Sequence, residues 1–162
     1  MKIDTEGSLY VDDFCISYRS KHMCTIEKHL QHSLKKLDKW ANTSGFKFLK
    51  NKTVCMHFRQ LRGLHPDPTL FLAKAPIPVV KEFKFLGLLL DPKLNFLPNI
   101  RYFRVKCKKS LDILTVLSST DLGSDRDTLL MLYKSDILSK LDYASFIYGS
   151  AKPSYLRPLD SI

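Results

Sequence analysis

The chain has 162 residues, which is long enough for a folded domain with a hydrophobic core. Hydrophobic residues make up 44% of it and charged residues 26%, proportions that are typical of a globular protein and exclude a disordered one. Lys and Arg outnumber Asp and Glu by 26 to 16, and this excess suits a polyanionic partner because cations near phosphates release condensed counterions. A solvated basic surface without a partner explains the same charge equally well.

The sequence carries no signal for a membrane or for secretion. No apolar stretch approaches the length of a membrane span, and the first residues, MKIDTEGSLYVDD, lack the apolar core of a secretory signal. Cys15, Cys24, Cys55 and Cys107 show no metal-binding or disulfide spacing, so we expect them to be reduced. These features predict an intracellular protein, nuclear or cytoplasmic, with no membrane partner.

The first predicted element is a hairpin. Two short segments rich in aromatic and β-branched residues, Ser8–Val11 and Phe14–Tyr18, lie on either side of a pair of aspartates. This composition favours two strands joined by a tight turn at Asp12 and Asp13. A helix over the same residues would place both aspartates toward the core.

An amphipathic helix is predicted next, from about Thr25 to Thr43, with Thr25 as its N-cap and Gly45 as its stop. Its apolar residues recur at three- and four-residue steps. They are Ile26, Leu30, Leu34, Leu37 and Trp40. A strand is predicted for Lys52–Phe58.

Four prolines then predict a loop over residues 63–78, with a short edge strand at Leu70–Leu72. The run Phe83–Leu90 predicts a further strand, ended by Asp91. The four prolines are Pro66, Pro68, Pro76 and Pro78.

After Pro98 the apolar period becomes helical. On one side of the first of two predicted helices lie the apolar residues Ile100, Phe103, Cys107, Leu111, Leu114 and Leu117. The second begins near Ser124, which has capping-box spacing to Asp127. Its apolar positions are Leu129, Leu132, Tyr133, Ile137 and Leu141. The tail that follows is predicted to be less regular, and the whole order of elements predicts an α+β fold.

The most informative motif is Tyr10-Val11-Asp12-Asp13. Two carboxylates at the tip of an apolar hairpin favour neutralisation by a cation. Carboxylate oxygens, water and substrate phosphates are the ligands that Mg²⁺ prefers. The alternative is an ordinary exposed turn, because Asp is common in turns.

In context, this motif resembles the catalytic hairpin of reverse transcriptases, and the segments after it resemble non-LTR retrotransposon enzymes in the same order. The resemblance covers nearly the whole chain and is shared with the Jockey-like polymerases of arthropod genomes, ticks among them. The segments that carry it are the helix Thr25–Thr43, Ser44–Phe48, Lys52–Met56, Phe83–Gly87 with Leu90-Asp91, Leu132–Lys134, Leu141–Ser145 and Tyr148–Ala151.

The resemblance implies a fold and an activity. Residues 1–91 would be part of a polymerase palm, made of the hairpin, the helix and a sheet, and residues 92–162 a helical thumb or connection segment. The intact enzyme would be an RNA-directed DNA polymerase that uses an RNA template, a DNA primer and deoxynucleoside triphosphates. Catalysis would follow a two-metal mechanism with Mg²⁺, or alternatively Mn²⁺. The oligomeric state is not implied.

The resemblance also implies roles for individual residues. Asp12 would be the direct metal ligand and Asp13 the supporting carboxylate, so that both are catalytic. Tyr10 would pack near the primer terminus. Lys52 matches a position that acts as general acid toward pyrophosphate in some polymerases, and its alternative is a solvated lysine at a strand start.

Two further sets of residues would contact nucleic acid. Phe85, Leu86 and Gly87 match the primer grip, where a glycine lets a backbone approach closely. The alternative for Phe85 and Leu86 is plain sheet core. A basic set on the following helix would face template–primer phosphates, or alternatively be only a solvated helix face. That set is Arg101, Arg104, Lys108 and Lys109.

The family's other metal-binding aspartate lies on an earlier strand, and Asp4 and Glu6 are too close to the hairpin to replace it. We therefore expect a truncated element that does not polymerise alone. The alternatives are a non-catalytic basic remnant that binds nucleic acid, and a relic without function.

Overall fold

The computed structural model describes residues 5–59, 66–119 and 123–160, which form two compact units, Met1–Lys81 and Glu82–Ile162. Asp4 and the start of the predicted loop at 63–78 lie outside the described residues. Helices and three small antiparallel two-stranded sheets make up the described part, so the predicted α+β class is confirmed. The division into palm and thumb at residues 91 and 92 stays a prediction. No helix in the described ranges is long and apolar enough to cross a membrane.

The predicted hairpin is present, with its turn one residue earlier than expected. β1 (Glu6–Tyr10) pairs with β2 (Asp13–Ser17), and Tyr10 lies opposite Asp13. Val11 and Asp12 therefore form the turn, and the predicted turn at Asp12 and Asp13 is wrong. Val11 has a left-handed backbone, with φ 55°, which β-branched residues rarely adopt. The register of the two strands holds it there.

The first predicted helix is confirmed as α1 (Met23–Ser44). It begins earlier than predicted, with His22 instead of Thr25 at the N-cap, and it ends at Gly45, whose φ of 75° is the left-handed conformation expected at a helix stop. Trp40, the last residue of the predicted apolar stripe, is not buried. Its side chain is 52% exposed and stacks on Phe46, with ring centroids 5.7 Å apart.

The buried face of α1 packs against a short hairpin made of β3 (Phe71–Leu72) and β4 (Ala75–Pro76). The core of this unit consists of Leu30 and Leu34 from α1 with Leu70 and Leu72. The predicted edge strand at Leu70–Leu72 is thus confirmed, and it has a partner.

The predicted strand Lys52–Phe58 is wrong. Only Cys55 pairs, in a single parallel bridge to Val79. Its N–H donates to the Pro78 carbonyl and its own carbonyl accepts from the Val80 N–H, both at 2.9 Å. On the Thr53 side of this bridge the ladder cannot continue, because Pro78 has no N–H to donate.

In the second unit, the predicted strand Phe83–Leu90 is a hairpin. β5 (Phe83–Phe85) pairs with β6 (Leu88–Leu90) across a two-residue turn. Both turn residues have left-handed backbones, Leu86 with φ 46° and Gly87 with φ 84°. Such turns match the twist of paired strands, which explains why eight residues fold back on themselves.

The helix predicted after Pro98 is confirmed as α2 (Leu97–Ser118). Ile100, Phe103 and Cys107, all on the predicted apolar side, are buried, and so are Leu88 from β6 and Tyr148 from the C-terminal region. Toward its C-terminus the apolar stripe emerges from the core. Leu111 and Leu114 are half-buried there, and Leu117, which lies on the predicted apolar side, is exposed.

The second C-terminal helix consists of α3 (Arg126–Leu132), a π-helical turn (Tyr133–Leu138) and α4 (Ser139–Asp142). Its predicted N-cap, Ser124, is wrong. Asp125 caps it instead, accepting hydrogen bonds from the Thr128 N–H at 3.3 Å and the Thr128 hydroxyl at 2.5 Å. The tail folds into short turns, α5 (Ser145–Tyr148), α6 (Pro153–Leu156) and a 3₁₀ turn (Arg157–Leu159).

Candidate active site and nucleic-acid interface

The two aspartates lie at the tip of the β1–β2 hairpin. Asp12 is in the turn, and Asp13 is the first residue of β2, opposite Tyr10. Both are exposed, and so is Val11 between Tyr10 and Asp12, at 83%. Because the carboxylates remain hydrated, the apolar flanks do not by themselves force a cation to neutralise them. Their exposure does leave their oxygens free to take external ligands.

The hairpin also presents an apolar surface. Leu9 and Tyr10 are 66% and 60% exposed, and Phe14, opposite Leu9, is 37% exposed. The Phe14 ring covers Gly7, where an added Cβ would lie 3.7 Å from the end of the ring. Within the described residues, the tip thus combines two carboxylates with exposed aromatic and aliphatic side chains.

The donor set at the tip fits a divalent cation in kind. Two carboxylates are the protein ligands that Mg²⁺ commonly takes, with water and substrate phosphates completing its coordination. Among the described residues, no group of three or more His, Cys, Asp or Glu side chains is arranged to hold a metal ion. Among the described residues, the donor set that suits a divalent cation at this tip thus consists of two carboxylates, those of Asp12 and Asp13.

Lys52 lies in a turn instead of at a strand start. Its N–H and the Thr53 hydroxyl both donate to the Leu49 carbonyl at 3.0 Å. The Lys52 side chain is exposed, and the ion pairs recorded among the described residues do not join it to Asp12 or Asp13. Its role as a general acid stays a prediction.

Cys55 and His57 lie on this segment beside Asp67. His57 Nδ1 lies 3.3 Å from Asp67 Oδ1. Burial raises the pKa of the Cys55 thiol, and the Asp67 charge raises it further. A nucleophilic cysteine needs the opposite shift, so this group does not provide one.

The three predicted primer-grip residues lie together at the β5–β6 turn. Phe85 is half-buried, and Leu86 is 38% exposed in the turn, so Leu86 is not sheet core. The Tyr143 hydroxyl donates to the Leu86 carbonyl at 2.5 Å, and a Cβ on Gly87 would lie 3.0 Å from Tyr143 Cε1. The close approach that Gly87 permits is therefore made by a tyrosine of this chain.

Two buried polar residues, Asp91 and Asn99, join the β5–β6 hairpin to the start of α2. The sequence analysis did not predict this structural role for either residue. The Asp91 carboxylate accepts hydrogen bonds from the backbone N–H groups of Lys93, Asn95 and Phe96 at 2.9–3.2 Å. Fully buried Asn99 accepts from the Leu89 N–H at 3.0 Å. The available signal for Asp91 was its place at a strand end, where aspartate commonly binds the following backbone.

All four predicted phosphate-contacting cations lie on the exposed side of α2. The ion pairs recorded among the described residues include none of them. A row of unpaired cations along a helix suits a polyanionic strand, and it equally suits a solvated face. The four are Arg101, Arg104, Lys108 and Lys109.

Comparison with known proteins gives no matching family profile and no matching solved structure. Curated proteins do match. The chain is 23% identical over 155 residues, 94% of its length, to the "Probable RNA-directed DNA polymerase from transposon X-element" of Drosophila melanogaster. It is 27% identical over 165 aligned residues, 98% of its length, to the "RNA-directed DNA polymerase from mobile element jockey" of the same organism.

A third relative is the "Retrovirus-related Pol polyprotein from type-1 retrotransposable element R1 2" of Nasonia vitripennis, 24% identical over 168 aligned residues and 97% of the chain. The chain spans 17% of the length of the first two relatives and 41% of the third. It is thus similar to RNA-directed DNA polymerases over nearly all of its own length. Those polymerases come from non-LTR retrotransposons, jockey among them, so the resemblance predicted from the motifs is confirmed.

Proposed function

We propose that this chain is part of an RNA-directed DNA polymerase of a non-LTR retrotransposon. The observation that carries the proposal is similarity to three such polymerases over 94–98% of the chain, together with an exposed Asp12-Asp13 pair at a hairpin tip. The reaction would be template-directed transfer of a nucleotide from a deoxynucleoside triphosphate to a primer 3′-hydroxyl, on an RNA template.

In this proposal, Asp12 and Asp13 hold Mg²⁺ or Mn²⁺. When bound, the cations lower the charge barrier between the attacking hydroxyl and the triphosphate. Tyr10 packs near the primer terminus, and Lys52 protonates the pyrophosphate. Phe85, Leu86 and Gly87 hold the primer backbone, and the four cations on α2 contact phosphates without reading sequence.

We also propose that these 162 residues do not extend a primer by themselves. The described residues bring no third carboxylate to the hairpin pair. Two carboxylates should hold a metal weakly and leave a nucleotide poorly positioned, and positioning is a large part of the rate of such reactions. Catalysis would need further parts of a polymerase.

A second candidate function is nucleic-acid binding without catalysis. The observation that favours it is the exposed row of cations on α2, in a chain with a net charge of +10. Binding of this kind depends on salt and does not need Asp12 or Asp13.

The metal site can be tested directly with paramagnetic Mn²⁺. Titrated Mn²⁺ should broaden the backbone amide resonances of the β1–β2 hairpin in the parent chain, and broaden them less in Asp12→Asn and Asp13→Asn. Asp112→Asn removes an exposed carboxylate from α2 and is the matched control. Equal broadening in the parent and in both hairpin variants would refute the assignment of the site.

Catalysis and binding separate in a second experiment, which follows primer extension on an RNA template and fluorescence anisotropy of the same template–primer. We expect salt-dependent binding that survives Asp12→Asn, and no extension. Metal-dependent extension that Asp12→Asn abolishes would confirm the polymerase assignment and contradict the need for further parts. Absence of binding at low salt would refute the second candidate function.

A further inference from the structure

A cluster of two lysines and a tyrosine joins β5 to α2, beside the residues already discussed. Lys84 Nζ donates to the Tyr102 hydroxyl at 3.0 Å and lies 5.0 Å from the centre of the ring. Lys106, one helical turn beyond Tyr102, places its Nζ 4.8 Å from the same ring centre. Two ammonium groups from different elements therefore converge on one phenol.

This positive charge has no partner of opposite sign in the described part of the chain. The ion pairs recorded there, His57–Asp67 and Lys140–Asp136, include neither lysine. Two like charges brought near one group repel each other unless an anion or solvent compensates. The cluster thus has the electrostatic character of an anion site.

The tyrosine in this cluster is held in place by the protein core. Tyr102 packs against the buried residues of the second unit, and its ring lies 5.8 Å from that of Phe103. A fixed phenol between two exposed lysines gives three hydrogen-bond donors that meet at the surface. Phosphate oxygens accept well from such donors, particularly from charged ones.

We propose that Lys84, Tyr102 and Lys106 form a phosphate-binding site that takes a backbone phosphodiester of a nucleic-acid strand. The choice of a nucleic acid rests on the proposed function, whereas the phosphate chemistry rests on the cluster itself. Lys109 lies one helical turn beyond Lys106, and α2 rises 1.5 Å per residue, so the same flank of the helix offers a cation for the next phosphate. The nucleic-acid strand would thus contact β5 as well as α2.

The site has a built-in pH dependence. Hydrogen bonds from Lys106 and Lys84 lower the pKa of Tyr102 to about 8, and these two lysines are the charged groups that shift it among the described residues. Below that pH the neutral phenol can donate its proton to a phosphate oxygen. Above it the phenolate neutralises part of the lysine charge and repels the phosphate. Affinity should therefore fall as the pH rises through about 8.

The test measures binding of a rhodamine-labelled template–primer duplex by anisotropy, across pH and salt. In the parent, affinity should fall several-fold between about pH 7 and 9, where a phosphodiester keeps a constant charge. Tyr102→Phe should remove this fall and keep binding at neutral pH. Lys84→Gln and Lys106→Gln should each lower the salt slope by about one unit.

The control is Lys134→Gln, which removes an exposed lysine of the π-helical turn. If it weakens binding as much as Lys84→Gln does, only net charge matters and the site is refuted. An unchanged pH profile in Tyr102→Phe also refutes it.

A competition experiment separates the two sources of phosphate. An abasic oligonucleotide should displace the duplex from the parent, and it should displace it more weakly from Lys84→Gln and from Lys106→Gln. A deoxynucleoside triphosphate should compete equally in the parent and in both variants. The reverse pattern would assign the site to free nucleotide and overturn the proposal. These outcomes do not involve Asp12 or Asp13, so failure here is distinct from failure of the metal site.

Discussion

Replacing Gly87 with alanine should destabilise the second unit through two separate effects. A left-handed backbone, here with φ 84°, costs about 1 kcal/mol or slightly more once a Cβ is present. The new Cβ would also lie 3.0 Å from Tyr143 Cε1. Because the Tyr143 hydroxyl is bonded to the Leu86 carbonyl, the ring can retreat only by weakening a hydrogen bond worth about 1 kcal/mol. The total expected loss is about 2–3 kcal/mol.

The chain contains its own matched control for this substitution. Gly45 has a similar φ of 75°, and an added Cβ there would meet nothing within 4 Å. Gly45→Ala should therefore cost only the backbone part, about 1 kcal/mol. The difference between the two variants isolates the contact with Tyr143.

Urea denaturation measures both effects. Far-UV circular dichroism follows the helices, and the fluorescence of Trp40, the one tryptophan of the chain, follows the first unit. Each variant is compared with the parent in the transition of its own unit. In a Tyr143→Leu background, the loss from Gly87→Ala should fall to about 1 kcal/mol. Equal losses at Gly87 and Gly45, or no effect of Tyr143→Leu, would refute the reasoning.

Three further predictions concern buried and capping groups. Asp91→Ala should lower the free energy of unfolding by about 2–3 kcal/mol in urea denaturation, because three backbone N–H groups lose their acceptor. Asp91→Asn should lower it less, and equal losses in the two variants would contradict this. Hydrogen bonds from Thr128 hold the pKa of Asp125 below its usual value of 3.8. The parent should therefore melt at a higher temperature than Asp125→Ala, and this difference should be largest above about pH 4. It should shrink as the pH falls through the lowered pKa. A melting-temperature difference that grows as the pH falls would contradict this prediction. Burial raises the pKa of the Cys107 thiol, so Ellman's reagent should label exposed Cys15 and Cys24 quickly and Cys107 only on unfolding. Fast labelling in a variant that keeps only Cys107, with Cys15, Cys24 and Cys55 replaced by serine, would count against its burial.

Local patterns were enough to predict α1, α2 and the β1–β2 hairpin. The apolar residues of both helices recur at helical spacing, and Gly45 marks the end of α1 because a left-handed stop favours glycine. The motif Tyr10-Val11-Asp12-Asp13 also carried the resemblance to retrotransposon polymerases, which the comparisons confirm. These signals lie within a few residues of one another, so they can be read without knowing what packs against them.

Strand registers and pairings were predicted less well. The turn at Val11 and Asp12 follows from how β1 aligns with β2, and one residue of register decides whether Asp13 belongs to the turn or to a strand. The expected strand Lys52–Phe58 reduces to one bridge, and on one side of that bridge the partner segment lacks a donor because of Pro78. In each case the outcome depends on a second segment that the local composition does not specify.

The sequence by itself determined the helices, the hairpin with its two aspartates, and the similarity to retrotransposon polymerases. Only the tertiary structure decided that Tyr143 closes over Gly87, and that Lys84 and Lys106 meet at Tyr102. The physical reason is distance along the chain. Helix and turn preferences act over a few residues, whereas the Tyr143–Leu86 and Lys84–Tyr102 hydrogen bonds join residues 57 and 18 positions apart. These bonds exist only once the core has brought their elements together.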